Sequence, residues 1–257
     1  MKRIVFAIPS YHRPDRQPLI RWLNRLGIGR DDIVLTVQND EDRAAYQKWG
    51  SMCRIEGSKN GVGVSFNRNQ CLRVEPGARL LMCDDGIRSI NVRGADGRCE
   101  VIRTKERLLS MLDRMFSFCE ARGVSVFSLN NSSSGLCASG FDFINHPFVS
   151  ICMGVIDRRV QFDPKVRFLE DVERNLRILR GGGRTYRFAY AFPNVQHGEE
   201  GGQCAMHRDP RVDVFYKRLL ARDHAGRVSV SERNGTCRLN VIRGTYRKVK
   251  GVLYGKI

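Results

Sequence analysis

Short apolar runs alternate with amphipathic segments through the first half of the chain. Three runs have the length and composition of buried strands: Ile4 to Ile8, Ile33 to Val37 and Leu80 to Cys83. Three segments between them carry helix signals: one opened by Pro14 and ended by Gly27, one capped by Asp40, and residues Ser65 to Arg73. Strands that alternate with helices predict an α/β domain with a mixed, mostly parallel sheet flanked by helices.

The second half of the chain continues this pattern less regularly. Helices are predicted over Lys105 to Arg122 and Glu170 to Leu179, and strands over Val124 to Ser128, Ile151 to Val155 and Thr185 to Tyr190. Near the end, RVSVSERNGTCRLNVI predicts a hairpin that turns at Asn234 and Gly235. The sequence has no internal repeat and no clean linker, so we expect one globule. It would consist of a main domain over residues 1–207 and a C-terminal extension over residues 208–257.

The chain is strongly basic. Its formal net charge is +17 over 257 residues, and residues 208–257 hold 13 Lys+Arg against 4 Asp+Glu, which gives this segment +9. Arginine is suited to bidentate contacts with phosphate. A charge of this size indicates a polyanionic partner such as nucleic acid. A basic protein without such a partner is the alternative that the composition leaves open.

The sequence also indicates a compartment. No apolar run approaches the roughly 18 residues that a membrane-spanning helix needs. The apolar stretch from Ile4 to Pro9 is short, and no small-residue cleavage site follows it, so we interpret it as a strand and not as a signal peptide. Nine cysteines are scattered without a CxxC pair, which favours free thiols over a zinc site or a disulfide framework. We therefore expect a cytoplasmic protein without a membrane partner.

Two adjacent aspartates, Asp84 and Asp85, follow the predicted strand Leu80 to Cys83, and Gly86 follows them. In open α/β sheets, ligands bind beyond the carboxyl ends of the strands. Two carboxylates there can hold a divalent cation, Mn or Mg, that bridges a diphosphate. The neighbouring glycine lets a ligand approach the backbone closely. An ordinary Asp-Gly turn with one capping aspartate is the structural alternative.

Two further stretches are suited to bind a nucleotide. In NGVGVSFNRNQCL (residues 60–72), glycines that include Gly63 lead into a helix whose first N–H groups can bind an anion, and Arg68 follows one turn later. In IPSYHRPDR (residues 8–16), Tyr11 is suited to stack on a base and Arg13 to pair with phosphate. Plain turns with solvated arginines are the alternative for each stretch.

Two later segments carry candidate acid–base and metal-binding residues. FLEDVERNLRIL (residues 168–179) places Glu170 and Asp171 at the start of a predicted helix, where a carboxylate can act as general base toward an acceptor hydroxyl. Stabilisation by the helix dipole is the alternative reason for acids at this position. NVQHGEEGGQ (residues 194–203) places His197 in a glycine-rich loop, as a metal ligand, as a phosphate contact, or simply exposed.

The order of these motifs resembles the GT-A glycosyltransferases, which use nucleotide-sugar donors. More narrowly, four stretches over residues 4–203 resemble the TET/JBP-associated glycosyltransferases of phages and related genomes: IPSYHRP, LLMCDDGI, FLEDVERNLR and the late GG loop. NGVGVSFNRNQCLRVEPGARLLMCDDGI resembles the part of that family in which an Arg-Asn helix leads to a DxD motif. Members of this family are thought to attach sugars to hydroxymethylated pyrimidines in DNA.

The resemblance implies a GT-A-like, Rossmann-like fold with the donor nucleotide on the N-terminal half. It also implies roles for the motif residues. Pro9, Tyr11, Arg13 and Asn39 would lie at the base and ribose of the donor, and Arg68 would lie beside the phosphates or brace the aspartates. Asp84 would contact the ribose or the metal, Asp85 and His197 would contact the metal, and Glu170 or Asp171 would be the acceptor-side base. Gly86 departs from the family pattern, which often has a third acidic residue there. Either Asp85 takes over as metal ligand, or the chain binds metal weakly or not at all.

The function expected from this resemblance is transfer of a sugar from a nucleotide-sugar, with UDP the expected nucleotide, to hydroxymethylated pyrimidines in duplex DNA. The protein would be phage-encoded and would act inside a bacterial host. Two alternatives stay open. One is a glycosyltransferase with a glycan or protein acceptor, and the other is a catalytically degenerate nucleic-acid-binding protein of the same fold.

Overall fold

A computed structural model describes residues 2–57, 63–94, 97–130, 141–195, 209–233 and 236–251. The helices are α1 (Pro18–Arg25), α2 (Asp40–Tyr46), α3 (Val64–Arg73), α4 (Lys105–Glu120), α5 (Glu170–Arg180) and α6 (Pro210–Asp223). The strands are β1 (Ile4–Pro9), β2 (Ile33–Val37), β3 (Arg54–Gly57), β4 (Arg79–Cys83), β5 (Ile87–Arg93), β6 (Cys99–Val101), β7 (Val126–Ser128), β8 (Phe141–Ile144), β9 (Cys152–Val155), β10 (Thr185–Arg187), β11 (Ala191–Val195), β12 (Val228–Arg233), β13 (Thr236–Val241) and β14 (Arg247–Lys250). None of the described helices is long and apolar enough to cross a membrane.

Nine strands form the main sheet, in the order β14-β8-β10-β7-β9-β4-β1-β2-β3. β3, β2, β1 and β4 are mutually parallel, and β10 is parallel to β7. β9 runs antiparallel between β4 and β7, and β8 runs antiparallel between β10 and β14. Seven of the nine strands therefore share one direction, which confirms the predicted mixed, mostly parallel α/β sheet. β11-β5-β6 form a smaller antiparallel sheet, and β12 pairs with β13.

The central strands are mostly apolar because both faces of the sheet are covered, and Arg79 of β4 and Thr36 of β2 are polar exceptions. Leu81 and Cys83 of β4 lie in one core cluster, together with residues of α1 and α4. Leu80 and Met82 point to the opposite face and pack in a second cluster with residues of α3. The alternation of neighbouring residues between two cores explains why β1, β2 and β4 appear in the sequence as continuous apolar runs.

Two predicted helix starts were wrong. α1 begins at Pro18 and not at Pro14, because Pro18 occupies the first helical turn, where its missing N–H costs nothing. The carbonyl of Pro14 instead accepts a hydrogen bond from Nε1 of Trp49 at 2.6 Å. Asn39, not Asp40, caps α2, since its Oδ1 accepts the backbone N–H of Asp42 at 2.7 Å.

The sequence pattern missed the helix α6 and the strands β3, β5, β6, β8, β11 and β14. Two of them, β6 and β14, lie at sheet edges and are mostly exposed, so they lack the apolar pattern of a buried strand. The predicted C-terminal hairpin is confirmed by the antiparallel pairing of β12 with β13. Its predicted turn at Asn234 and Gly235 lies outside the described residues.

Among the described residues, both α6 and β14 join the chain after residue 208 to the rest of the protein. Leu220 of α6 packs against Val172 and Leu176 of α5. β14 pairs with β8 and extends the main sheet. The boundary expected between residues 207 and 208 stays a prediction, because residues 196–208 lie outside the described ranges.

Gly154 in the middle of β9 should tolerate no side chain. A Cβ at this position would lie 2.1 Å from ring atoms of Phe127. We expect Gly154→Ala to lower the free energy of unfolding by about 1–3 kcal/mol, the usual cost of overpacking a core. Urea denaturation measures this change.

Gly77→Ala is the matched control for Gly154→Ala. Nothing lies within 4 Å of a Cβ built at Gly77. This variant should leave the stability unchanged or raise it slightly, because alanine has less freedom in the unfolded chain. Equal destabilisation of the two variants would contradict the packing of β9 against Phe127.

Candidate functional site

Three strand ends meet at one edge of the main sheet. β1, β2 and β4 are adjacent and parallel, so their carboxyl ends lie at the same edge, where open α/β sheets bind ligands. Ser10 follows β1, Gln38 follows β2, and Asp84 and Asp85 follow β4. Asn67 of α3 joins this edge, since its Nδ2 donates to the carbonyl of Ser10 at 2.8 Å. The predicted aspartate pair therefore lies at the edge where open α/β sheets bind ligands.

Asp85 is held by three donors. Nη1 of Arg13 donates to its Oδ1 at 3.0 Å, and Oγ of Ser10 donates to its Oδ2 at 2.6 Å. The backbone N–H of Gly86 also donates to this carboxylate. Asp85 is only 8% exposed, and burial raises the pKa of its carboxyl, while Arg13 and the hydrogen bonds oppose the rise. Asp85 is thus enclosed by protein groups.

A buried tyrosine orients the groups that hold Asp85. The hydroxyl of Tyr46 lies 2.8 Å from Oγ of Ser10 and accepts the backbone N–H of Arg13 at 2.8 Å. Because the Ser10 hydrogen goes to Asp85, Tyr46 donates to Ser10. Nε2 of Gln17 donates to the same Oγ at 2.8 Å. Burial raises the pKa of Tyr46 to about 12, so this hydroxyl keeps its proton at neutral pH.

Arg68 lies between two carboxylates from distant parts of the chain. Its Nη2 is 3.0 Å from Oδ1 of Asp84, and its Nε is 3.0 Å from Oε1 of Glu170. Arg68 is 5% exposed and Glu170 is 1% exposed. Burial acts to lower the pKa of Arg68, but the charges of Asp84, Glu170 and Asp171 outweigh it and raise that pKa. The guanidinium therefore stays charged and ties α3 to β4 and α5.

Asp84 differs from Asp85 in its access to solvent. Its Oδ1 accepts from Arg68, whereas no described residue donates a hydrogen bond to its Oδ2. Although 37% of the side chain is exposed, desolvation by the surrounding protein raises the pKa of the carboxyl to about 6. Arg68 opposes this rise, and Asp85 and Asp171 add to it. Asp84 is the aspartate with an oxygen available to a ligand.

The two candidate bases at the start of α5 have different surroundings. Glu170 is buried against Arg68. Asp171 is half-buried, and its Oδ1 accepts the backbone N–H of Val172 at 2.8 Å. Asp171 is close enough to Asp84 and Arg68 to raise the pKa of both groups. Of the two acids, Asp171 is the one that solvent can reach.

The start of α3 is joined to the end of β2 through Gln38. Gly63 precedes α3 with φ +89° and ψ 163°, a conformation that favours glycine. Its N–H donates to Oε1 of Gln38 at 2.9 Å. Gln38 is 2% exposed, and its Nε2 has no hydrogen-bond partner among the described residues. A buried amide without a partner is costly, so Gln38 is a candidate donor to a bound molecule.

The other predicted residues lie around this centre or outside the described ranges. Pro9 is the last residue of β1, and Asn39 caps α2. Tyr11 is exposed, with its ring centroid 3.8 Å from that of His12. His197 lies outside the described residues. Within the described ranges, no cluster of three or more His, Cys, Asp or Glu side chains is arranged to hold a metal ion.

Sequence reasoning missed Ser10, Gln38 and Tyr46 as site residues. Ser10 and Gln38 each follow an apolar strand directly, and a polar residue at the carboxyl end of a strand was a usable signal. Tyr46 lies 36 positions from Ser10, at the end of α2. Its contact with Ser10 depends on tertiary packing and leaves no local signal.

A family model described as TET-Associated Glycosyltransferase matches residues 5–202 of the chain. Similar solved structures are GT-A glycosyltransferases. Glucosyl-3-phosphoglycerate synthase from Mycobacterium tuberculosis, in complex with Mn2+, UDP and glucosyl-3-phosphoglycerate, has a TM-score of 0.53 at 10% identity over 96% of this chain and 90% of that chain. A mannosyltransferase from Pyrobaculum calidifontis, in complex with GDP-Man and Mn2+, has a TM-score of 0.50 at 14% identity over 86% of this chain and 65% of that chain. At these identities the likeness shows a shared fold. No curated protein matches the sequence significantly.

The raised pKa of Asp84 predicts a pH dependence of stability. Its pKa is about 6 in the folded protein against an ordinary value of 3.8, so the folded state binds this proton more tightly than the unfolded chain. The contribution of Asp84 to stability is therefore greatest at low pH and is lost as the pH rises from about 4 to about 6. Asp84→Asn should remove this part of the pH profile, which urea unfolding in metal-free buffer measures.

The exposed residue Asp31 supplies a matched control for Asp84→Asn. Asp31→Asn makes the same chemical change and should keep the wild-type difference in stability between the two ends of this pH window. A profile for Asp84→Asn that coincides with the wild-type profile would show that Asp84 has no raised pKa.

Proposed function

The chain belongs to the TET-associated glycosyltransferase family, and from this we propose that it transfers a sugar from a UDP-sugar to a hydroxymethylated pyrimidine in duplex DNA. The observation that most supports donor binding is the aspartate pair at the carboxyl end of β4, braced by Arg13 and Arg68. The DNA acceptor is proposed from the description of the family and from the net charge of +17, which suits a polyanionic substrate.

The donor nucleotide would bind across the carboxyl ends of β1 and β2. Tyr11 offers an exposed ring for stacking on the base, and Nε2 of Gln38 offers a buried donor for a base carbonyl. Pro9 and Asn39 lie beside them at the ends of the same two strands. The start of α3 at Gly63 would bind the phosphates, because helix N-termini favour anions.

The described residues fit a divalent cation at Asp84 better than at Asp85. Oδ2 of Asp84 accepts no hydrogen bond from the described part of the chain, whereas both oxygens of Asp85 already accept from Arg13 and Ser10. We propose that Asp84 holds Mn or Mg together with the donor diphosphate, with His197 a further candidate ligand. When bound, such a cation neutralises charge on the leaving diphosphate. Asp85 would instead orient Arg13.

Asp171 is the proposed acceptor-side base, because it is half-buried whereas Glu170 is buried against Arg68. Its carboxylate would take the proton of the acceptor hydroxyl as the hydroxyl oxygen bonds to the anomeric carbon of the sugar. The bond from that carbon to the diphosphate oxygen breaks, and UDP leaves with the bonding electrons. Arg68 stays charged and adds positive charge beside the site.

We expect the protein to release UDP from a UDP-sugar, in the presence of Mn2+, only when duplex DNA with a 5-hydroxymethylpyrimidine is added. Unmodified duplex of the same sequence is the control. Mass spectrometry of the digested DNA should then show the modified nucleoside with one added sugar.

Each other outcome of this assay selects another function. Release that requires a glycan or a protein would replace DNA as the acceptor. Absence of release with every donor and acceptor, in a protein that still binds DNA, would favour a nucleic-acid-binding protein that has lost the chemistry.

If Asp171 is the base, its substitution should lower the rate of transfer without weakening the binding of UDP. Asp171→Asn should lower kcat by about 10²–10⁴, the usual contribution of a general base. It should leave the affinity for UDP unchanged, because the amide keeps the shape of the side chain. Steady-state rates and calorimetric UDP binding measure the two effects.

Glu173→Gln is the matched control on the same helix, since Glu173 pairs with Arg177 one turn further along α5. It should keep nearly the full rate. Glu170→Gln should instead lower the thermal stability, because Arg68 loses a buried partner. A full rate in Asp171→Asn, with a lost rate and normal stability in Glu170→Gln, would move the base to Glu170.

A further inference from the structure

The last strand of the main sheet ends level with Asp84. The strand register runs straight across the sheet through these paired residues: Met82, Met153, Ser128, Arg187, Phe143 and Lys248. β4 and β14 run in the same direction. Asp84 lies two positions beyond Met82, and Lys250 lies two positions beyond Lys248. Lys250 is therefore at the same edge of the sheet as the candidate active site.

The distance along this edge matches a short length of DNA. Five strand spacings separate β4 from β14, and neighbouring strands are about 4.8 Å apart, which gives roughly 24 Å. One strand of duplex DNA advances about 3.4 Å per nucleotide, so this span equals roughly seven base pairs. A duplex with its target base at Asp84 can thus reach β14 with its flanking backbone.

The cations of β14 and the turn before it have no acidic partners in the described part of the chain. Arg243, Arg247, Lys248 and Lys250 are all exposed, and none forms an ion pair with a described residue. Moreover, no acidic residue follows Glu232 in the sequence, whereas seven basic residues do. The repulsion among these cations is unrelieved within this part of the protein, and phosphate groups would relieve it.

The arginines of α6 are different, because each has an acidic partner. Arg211 pairs with Asp209 at 3.0 Å. Arg218 pairs with Glu232 at 2.5 Å, and Arg222 pairs with Asp223 at 2.7 Å. Both elements belong to the basic C-terminal segment, but the arginines of α6 have acidic partners whereas the cations of β14 have none among the described residues.

We propose that Arg243, Arg247, Lys248 and Lys250 form the surface that binds the phosphate backbone of the acceptor duplex, which we call the β14 surface. This rests on the proposed function, since it says where the acceptor of that site docks.

A further cation lies beside the surface: the guanidinium carbon of Arg187 is 4.2 Å from the ring centroid of Phe143, and Nζ of Lys248 is 5.7 Å from the same centroid. Two cations thus share one ring.

The test compares two triple variants that each remove three positive charges. One is Arg247→Gln/Lys248→Gln/Lys250→Gln, and the matched control is Arg211→Gln/Arg218→Gln/Arg222→Gln. Fluorescence anisotropy would give the Kd for an unmodified duplex with about ten base pairs on each side of its centre, at several salt concentrations. The β14 variant should bind roughly tenfold more weakly or worse, and its slope of log K against log salt should fall by about 2.7, or about 0.9 for each lost phosphate contact. The control should keep the wild-type slope.

A charge-retaining variant, Arg247→Lys/Lys248→Arg/Lys250→Arg, should also keep the wild-type slope. Lysines on an edge strand can instead serve to prevent strand-to-strand association. If the β14 variant with three glutamines aggregates in size-exclusion chromatography and its slope of log K against log salt is unchanged, that role is supported and the β14 surface is overturned. Equal slopes for the wild type and the β14 variant would overturn it as well.

This binding assay contains no sugar donor, so its result is separate from that of the proposed function. If the slope of log K against log salt depends on the β14 residues but the protein transfers no sugar, the proposal of the β14 surface stands and the proposed function is rejected. If the protein transfers sugar to DNA but the β14 substitutions do not change its DNA binding, the proposed function stands and the β14 surface is rejected.

Discussion

The buried guanidinium of Arg68 is the group on which the candidate site depends. It holds together the end of β4, the helix α3 and the start of α5, with contacts of 3.0 Å to both Asp84 and Glu170. Loss of one member of a buried ion pair usually costs about 3–5 kcal/mol, because the remaining charge is left without compensation. The position of Asp84 and the position of the start of α5 are therefore fixed by the same charge balance.

Two adjacent carboxylates can lie side by side here because each has its own arginine. Arg13 compensates Asp85, and Arg68 compensates Asp84. The hydroxyl of Ser10 donates to Asp85 and is itself bonded to the hydroxyl of Tyr46. The geometry of the pair of Arg13 and Asp85 is therefore set before any ligand binds. Fixed charges and dipoles of this kind need little rearrangement during a reaction, which is the basis of electrostatic preorganisation.

Sequence patterns predicted the centre of the fold well and its edges poorly. β1, β2 and β4 are buried on both faces, and this produces the apolar runs that the sequence shows. β14 is an exposed edge strand rich in basic residues, so no apolar period marks it. The motif order selected the aspartates and the acids of α5 as candidates, but the contact between Arg68 and Glu170 joins residues 102 positions apart and could be seen only in three dimensions.

The antiparallel strand β9 gives the protein a particular order of assembly. It lies between β4 and β7, although it follows both of them in the chain. While a ribosome is still making the residues before β9, the apolar strand β4 has an open edge next to its aspartates. An open edge of this kind is a template for pairing with other chains. The half of the sheet that contains β1 to β4 is therefore not a separable unit, since the nascent chain can close this edge only when β9 emerges.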